Sequence, residues 1–443
     1  MINFFAMNCM KKFICSNFTA VGQCALKSLN RKFGCSAVIL HPRRSRGIRE
    51  GLEDDIIFDN PGTVEVAKPK IPEKAVKELL EQSLSQDPAR VDKSYPSDIE
   101  LVKDLQQYKK WSRNQANHSY RPSEVSAGDT SIIFFPGQGS QFPGMAKKLL
   151  QFPNVKEMYE VANDVLRYDL LDLSLNGPKS ELDKTLHCQP AVFVSSIAAI
   201  ERLKEDNPRA IENCVGTAGF SVGEYAALVF AGVLSFEDGL RLVQIRARAM
   251  QAASEAVPSG MMTVFLGPAN KINFACHTAR QYCLKQLNME NPICHVANFL
   301  STECKVVAGN VEALEFLKKH SKEFGITRCK SLPVSGAFHT KLMKPACKPV
   351  ENALKELRLR SPLVPVYSNV TARQMSQAGK IKHLLVDQIV KPVKWEQIVH
   401  TIFTRPQGEE YPNVFEVGPG KQLGALLKLT NMKAYQNYWS IEV

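Results

Sequence analysis

Residues 217–226 read TAGFSVGEYA. A run of small residues arrives, Ser221 stands between Gly219 and Gly223, and helix-forming residues leave. This demands a buried strand, a tight turn and a helix in immediate succession, because only glycines allow so sharp a turn and so close a helix. Strand–turn–helix units of this kind need a mainly parallel sheet covered on both faces. The turn puts the Ser221 hydroxyl at the sheet's C-terminal edge against a helix N-terminus. There the Val222 N–H points to where an oxyanion would form. The same frame also suits a serine that only caps a helix in a glycine-rich turn.

The rest of the chain fits that architecture. SIIFF (131–135) is a β-rich run that stops at PGQGSQ, and helical periods follow over 147–168 and 189–207. Ser235 is placed to cap the helix that carries IRARAM. Residues 260–332 change rhythm to strand, helix, strand, strand, helix, strand, the ferredoxin-like order. The fold class is therefore α/β. An α/β-hydrolase-like main domain with a mainly parallel sheet occupies 130–259 and 333–435, and a ferredoxin-like subdomain is inserted at 260–332.

The net charge of +12 does not spread as in a nucleic-acid binder. Residues 1–49 carry nine basic side chains and no acidic one, so the remainder holds 12 − 9 = +3. An acid-free basic leader has the composition of a mitochondrial transit peptide, or of a basic tail with another role. Residues 50–128 are charged and Pro- and Ser-bearing, and read as a linker or arm. Two stretches of it have helical spacing, 72–84 (Ala75, Leu79, Leu80) and 97–112, either of which could dock on the main body. No stretch has the roughly 18 consecutive apolar residues of a membrane span. The twelve cysteines include no CxxC pair, and those beyond the leader sit mostly among apolar neighbours. They read as reduced and buried, and no Cys/His set has zinc-ligand spacing.

A nucleophilic serine needs a base. His339, in LPVSGAFHTKLMKP, follows a strand in a small-residue turn that leads into a helix, where α/β sites form. It could equally be a locally bonded helix-start residue. Arg246 lies on an otherwise apolar stripe with Leu242, Val243, Ala249 and Met250, and either snorkels or holds an anion. FPGQGSQ lacks the third glycine of a dinucleotide loop, but its turn can offer a backbone N–H to an oxyanion.

FPGQGSQ, GFSVGEY, IRARAM, SGAFHTKLMKPA, KPVKW and EVGPG occur in this order. Together they resemble the malonyl-CoA–acyl carrier protein transacylases, acyltransferases of fatty acid and polyketide synthesis. The resemblance spans about residues 130–432, and the basic leader makes it closest to the mitochondrial members. It implies Ser221 as nucleophile and His339 as general base, with the backbone N–H groups of Gln138 and Val222 as the oxyanion hole. It implies Arg246 as clamp for the malonate carboxylate, and Gln388, through its main-chain carbonyl, and Asn369 as residues that orient His339. Phe338, before the histidine, goes with malonyl rather than methylmalonyl. No metal or cofactor is implied. The partners are malonyl-CoA and the holo carrier protein, whose acidity suits a rim of Lys341, Lys344, Lys391 and Lys394. The compartment is the mitochondrial matrix. One residue departs from the bacterial pattern GHSLG: Phe220 replaces its histidine. A phenyl ring cannot take a proton, so the base must lie elsewhere, and Phe220 is left to line the acyl pocket. A serine hydrolase and a non-catalytic scaffold are the competing readings. The first would add an Asp or Glu to the pair and has no need of Arg246. The second has no need of Ser221, His339 and Arg246 together.

Overall fold

The computed structural model describes residues 73–85 and 125–443. The leader 1–49 and the arm stretch 97–112 lie outside the described residues. In chain order the strands are β1 Ser131–Phe135, β2 Cys214–Gly219, β3 Ser259–Leu266, β4 Cys294–Ser301, β5 Cys304–Asn310, β6 Ile326–Ser331, β7 Val366–Tyr367, β8 Gln374–Met375, β9 Val393–Lys394, β10 Asn413–Val417 and β11 Tyr438–Ile441. The principal helices are α1 Glu73–Ser85, α2 Val155–Leu166, α3 Thr185–Asp206, α4 Gly223–Phe230, α5 Phe236–Ala256, α6 Ile272–Gln286, α7 Val311–Lys319, α8 Lys344–Glu356, α9 Ala378–Val390, α10 Trp395–Phe403 and α11 Gln422–Thr430.

The main sheet runs β11–β10–β1–β2–β7–β8 and is parallel except for β7–β8. Central β1 shows why SIIFF lacks alternation. Ile133 and Phe135 enter one core under α3 and α5, while Ile132 and Phe134 enter another against α10 and α11. The strands therefore end together at one edge, where the loops after β1, β2 and β7 meet. The chain continues past residue 435 into the edge strand β11, which pairs with β10. Ser235 caps α5 by accepting from the Asp238 N–H at 3.1 Å. The helix expected from 147 begins only at Val155. Pro153 cannot donate to a helix, and Asn154 turns left-handed at φ 63° before α2.

The second sheet runs β6–β3–β5–β4–β9. Its first four strands are antiparallel and come from 259–331. The returning chain supplies β9, parallel to β4, so the inserted sheet is finished by the main domain. Successive residues divide between the two faces: Met261 belongs to the main core and Met262 to a separate core under α6 and α7. α1 closes that second core, with Leu80 inside it and Val76 against it. The arm helix thus docks on the inserted unit rather than on the main body. The eight cysteines from Cys188 to Cys347 are free thiols, five of them buried.

Candidate active site

Ser221 leaves β2 with φ 53°, in the left-handed region that L-residues avoid. Such a residue costs about 1–3 kcal/mol and persists only where its surroundings fix it. Two things fix it. A Cβ on Gly219 would run into the Gly223 carbonyl, and one on Gly223 would lie 2.6 Å from the Pro136 oxygen. Asn369, just beyond neighbouring β7, bridges the turn: its Oδ1 accepts from the Ser221 N–H at 2.7 Å and its Nδ2 donates to the Gly219 carbonyl at 2.7 Å. The resemblance implied that Asn369 orients the histidine. The structure corrects this, since both side-chain bonds go to the serine turn.

His339 also has a left-handed backbone, φ 60°. Its Nδ1 donates to the Gln388 main-chain carbonyl at 2.7 Å. That bond leaves the Nε2 lone pair facing the Ser221 hydroxyl at 2.9 Å. Burial, and then the Arg246 charge, hold the imidazole down at about 3. A neutral histidine with a free lone pair on a serine hydroxyl is the arrangement a general base needs.

Arg246, from the middle of α5, is fully buried. It does not snorkel. Its Nη1 donates to Gln189 Oε1 at 2.6 Å. Its Nη2 donates to Gln388 Oε1 at 2.9 Å and to Ser221 Oγ at 3.0 Å. The guanidinium also lies 5.3 Å from the centre of the Tyr225 ring. A charge so enclosed is costly unless it meets acceptors, and an anion is the strongest of these.

The FPGQG loop lies against the serine turn. A Cβ on Gly137 would strike the Phe220 carbonyl and lie 3.1 Å from its ring, so glycine lets the two loops touch. Gln138 is anchored by its side chain, whose Nε2 donates to Thr185 Oγ1 at 3.2 Å. The backbone N–H groups of Gln138 and Val222 have no backbone or side-chain acceptor among the described residues. Phe220 is half-buried and tilts against Trp395 of α10 at 5.6 Å between centroids, and Phe338 is buried beside the base. Lys341, Lys344 and Lys391 are exposed and Lys394 is half-buried in β9.

An acyl transferase domain model matches residues 133–434. The human mitochondrial malonyl-CoA–acyl carrier protein transacylase is 55% identical over 316 residues, covering 71% of this chain and 81% of the relative. The structure of the malonyl CoA–acyl carrier protein transacylase from Coxiella burnetii superposes with a TM-score of 0.64. It is 31% identical and covers 72% of this chain and 95% of its own. A type II polyketide synthase carrier protein complexed with its malonyl-transacylase gives a TM-score of 0.61 at 35% identity, covering 71% and 96%. The chain belongs to the malonyl-CoA–acyl carrier protein transacylases.

Two residues of this transacylase's site escaped the reading of the sequence. Gln189 of α3 accepts from Arg246. Glu224, in the first turn of α4, is 1% exposed. Its Oε1 accepts from the Asn369 N–H at 3.1 Å and its Oε2 from the Gln388 side-chain amide. Burial pushes this carboxyl up to about 7, against the bonds from Asn369 and Gln388 and the pull of Arg246. Each is a lone polar residue in an apolar helical run, CQPAVFV and GEYAALVF, and that isolation was the available signal.

Proposed function

We propose that Ser221 carries the malonyl group between two thiols by a ping-pong route. The transacylase moves malonyl from malonyl-CoA to the phosphopantetheine thiol of acyl carrier protein. Ser221 Oγ attacks the thioester carbonyl while His339 Nε2 takes the hydroxyl proton. The oxyanion is held by the Gln138 and Val222 N–H groups, each worth on the order of 3 kcal/mol. The C–S bond then breaks, and the proton passes from His339 to the departing CoA sulfur. In the second half the carrier thiol gives its proton to His339 and attacks malonyl-Ser221. The serine leaves with that proton.

The observation that carries this reading is the Ser221 oxygen held between a neutral base at 2.9 Å and a buried guanidinium at 3.0 Å. Such a guanidinium suits an acyl group that ends in a carboxylate. Arg246 is the clamp that separates malonyl from acetyl, exchanging amide acceptors for the substrate's charge. Phe220 and Phe338 line the acyl pocket, and the phenyl groups keep it dry. The cleft lies between the α/β main domain, read as α/β-hydrolase-like, and the inserted sheet, whose strand order supports a ferredoxin-like unit. Lys341, Lys344, Lys391 and Lys394 form the rim for an acidic carrier. The enzyme is mitochondrial, the leader is its transit peptide, and the matrix is its compartment.

The test is mass spectrometry of the protein after malonyl-CoA, followed by holo carrier protein. A malonyl adduct on Ser221 that moves to the carrier is expected. Free malonate with no malonyl-carrier would make the protein a hydrolase and overturn the reading.

A further inference from the structure

The geometry points to Glu224 as a positioning residue that fixes which end of the Gln388 amide faces Arg246. Gln388 is the hub of the site. Its backbone carbonyl holds His339, while its side chain meets Arg246, the Ser221 carbonyl and Glu224. An amide has a donor end and an acceptor end of nearly equal size, so packing alone does not choose between its two orientations. An ionised carboxylate only accepts. Glu224 therefore draws the Gln388 NH2 group, which also donates to the Ser221 carbonyl at 3.0 Å. The Gln388 oxygen is thereby turned to Arg246 Nη2. Gln189 Oε1 stands on the other terminal nitrogen. The guanidinium thus rests on two amide oxygens, one on each arm of its fork, as it would on the two oxygens of a carboxylate.

The inference rests on the clamp reading of Arg246 and extends it: the selectivity of the clamp is set by a carboxylate that touches neither substrate nor Arg246. With Glu224 replaced by Gln, the new amide's oxygen keeps the Asn369 N–H and its NH2 group turns to Gln388, so the Gln388 amide is held only by the Ser221 carbonyl and Arg246 and can reverse against the new donor. Its NH2 would then face the guanidinium, donor against donor, and displace Arg246. Protonation of Glu224 has the same effect, because it adds an O–H donor. The charged or titratable groups facing this carboxyl are Arg246 from α5 and Tyr225 beside it on α4, with His339 across the serine.

The experiment measures acyl-Ser221 formation from malonyl-CoA and from acetyl-CoA in the full-length enzyme, and takes the ratio of the two kcat/KM values. Misfolding lowers both alike and leaves the ratio unchanged. Glu224→Gln should lower the ratio about tenfold. In the wild type the ratio should fall between pH 8 and pH 6, and in Glu224→Gln it should be flat. An unchanged ratio in Glu224→Gln overturns the inference. If that variant acylates with neither thioester, Glu224→Asp, which remains acceptor-only, decides: a wild-type ratio upholds the inference and an acetyl-preferring one overturns it. Arg246→Ala is the control for the underlying reading. If the ratio falls there but not in Glu224→Gln, the clamp stands and the role of Glu224 fails. If it falls in neither, both fail.

Discussion

The two sheets of this protein are of similar size but differ in use. The parallel sheet ends its central strands at one edge, so the loops after β1, β2 and β7 bring Gln138, Ser221 and Asn369 together. In the antiparallel sheet, chain reversals alternate between opposite edges, and the connections disperse. Among the described residues, no hydrogen bond to the side chains of Ser221, His339, Arg246 or Gln388 comes from β3, β4, β5 or β6, although Ser259 at the start of β3 accepts from the Ala337 N–H at 3.2 Å, two residues before the base. Parallel topology gathers chemistry, whereas this antiparallel unit supplies a wall with its own core.

The sharpest attack on that contrast is Ser221→Ala. Transfer should fall on the order of 10⁴-fold or more and the malonyl adduct should disappear from the mass spectrum, with the fold intact by circular dichroism. Arg246→Ala should come next. Malonyl transfer falls at least 10²-fold relative to acetyl transfer in parallel assays, and an equal loss for both would remove the clamp. In the inserted unit the pattern should invert. Phe316→Ala, in the core under α6 and α7, should cost about 3–5 kcal/mol in denaturant unfolding. Yet kcat/KM per folded molecule should stay within a few-fold. A 10²-fold catalytic loss there would show that the second sheet shares in the chemistry. Leu80→Ala on α1 should be milder, about 2 kcal/mol, because the residue lies at the rim of that core.

The smallest effect is a pH balance at the edge of the first sheet. His339 is depressed from 6.5 to about 3, so its contribution to stability is present above 6.5 and lost as pH falls. Glu224 is raised from 4.5 to about 7, so its contribution is present below 4.5 and lost as pH rises through 7. From pH 5 to 6.5 the two slopes oppose each other. Melting temperature over that window should rise by a few degrees with pH in Glu224→Gln, and fall with pH in His339→Asn.

What was legible in the sequence follows the range of the forces involved. The turn at Ser221 was readable because two glycines, a serine and a helix start are adjacent in the sequence, although the structure holds it with Asn369 from beyond β7. The order of the inserted strands was equally readable from spacing. The partners of Arg246 were not, because Gln189 and Gln388 lie on two other helices, 57 and 142 residues away in the chain. Glu224 carried only the faint signal of a lone acid ahead of an apolar run, because acids are ordinary at a helix start. Asn369 was found by resemblance but given the wrong partner, since whether it reaches the serine turn or the histidine depends on β7 lying beside β2. The start of α2 was misplaced because helical spacing was followed through Asn154, whose left-handed backbone breaks the helix.

The docking of α1 also bears on how the chain is made. Its partner α6 follows it only after residues 86–271, and the core it closes is incomplete until β6 ends at Ser331. A ribosome delivers the N-terminal end first, at about 5–20 residues per second. Leu79 and Leu80 therefore leave the exit tunnel many seconds before the core residues under α6 and α7 that cover them. α1 must wait as an exposed apolar face, open to chaperones, until the inserted sheet has been synthesised.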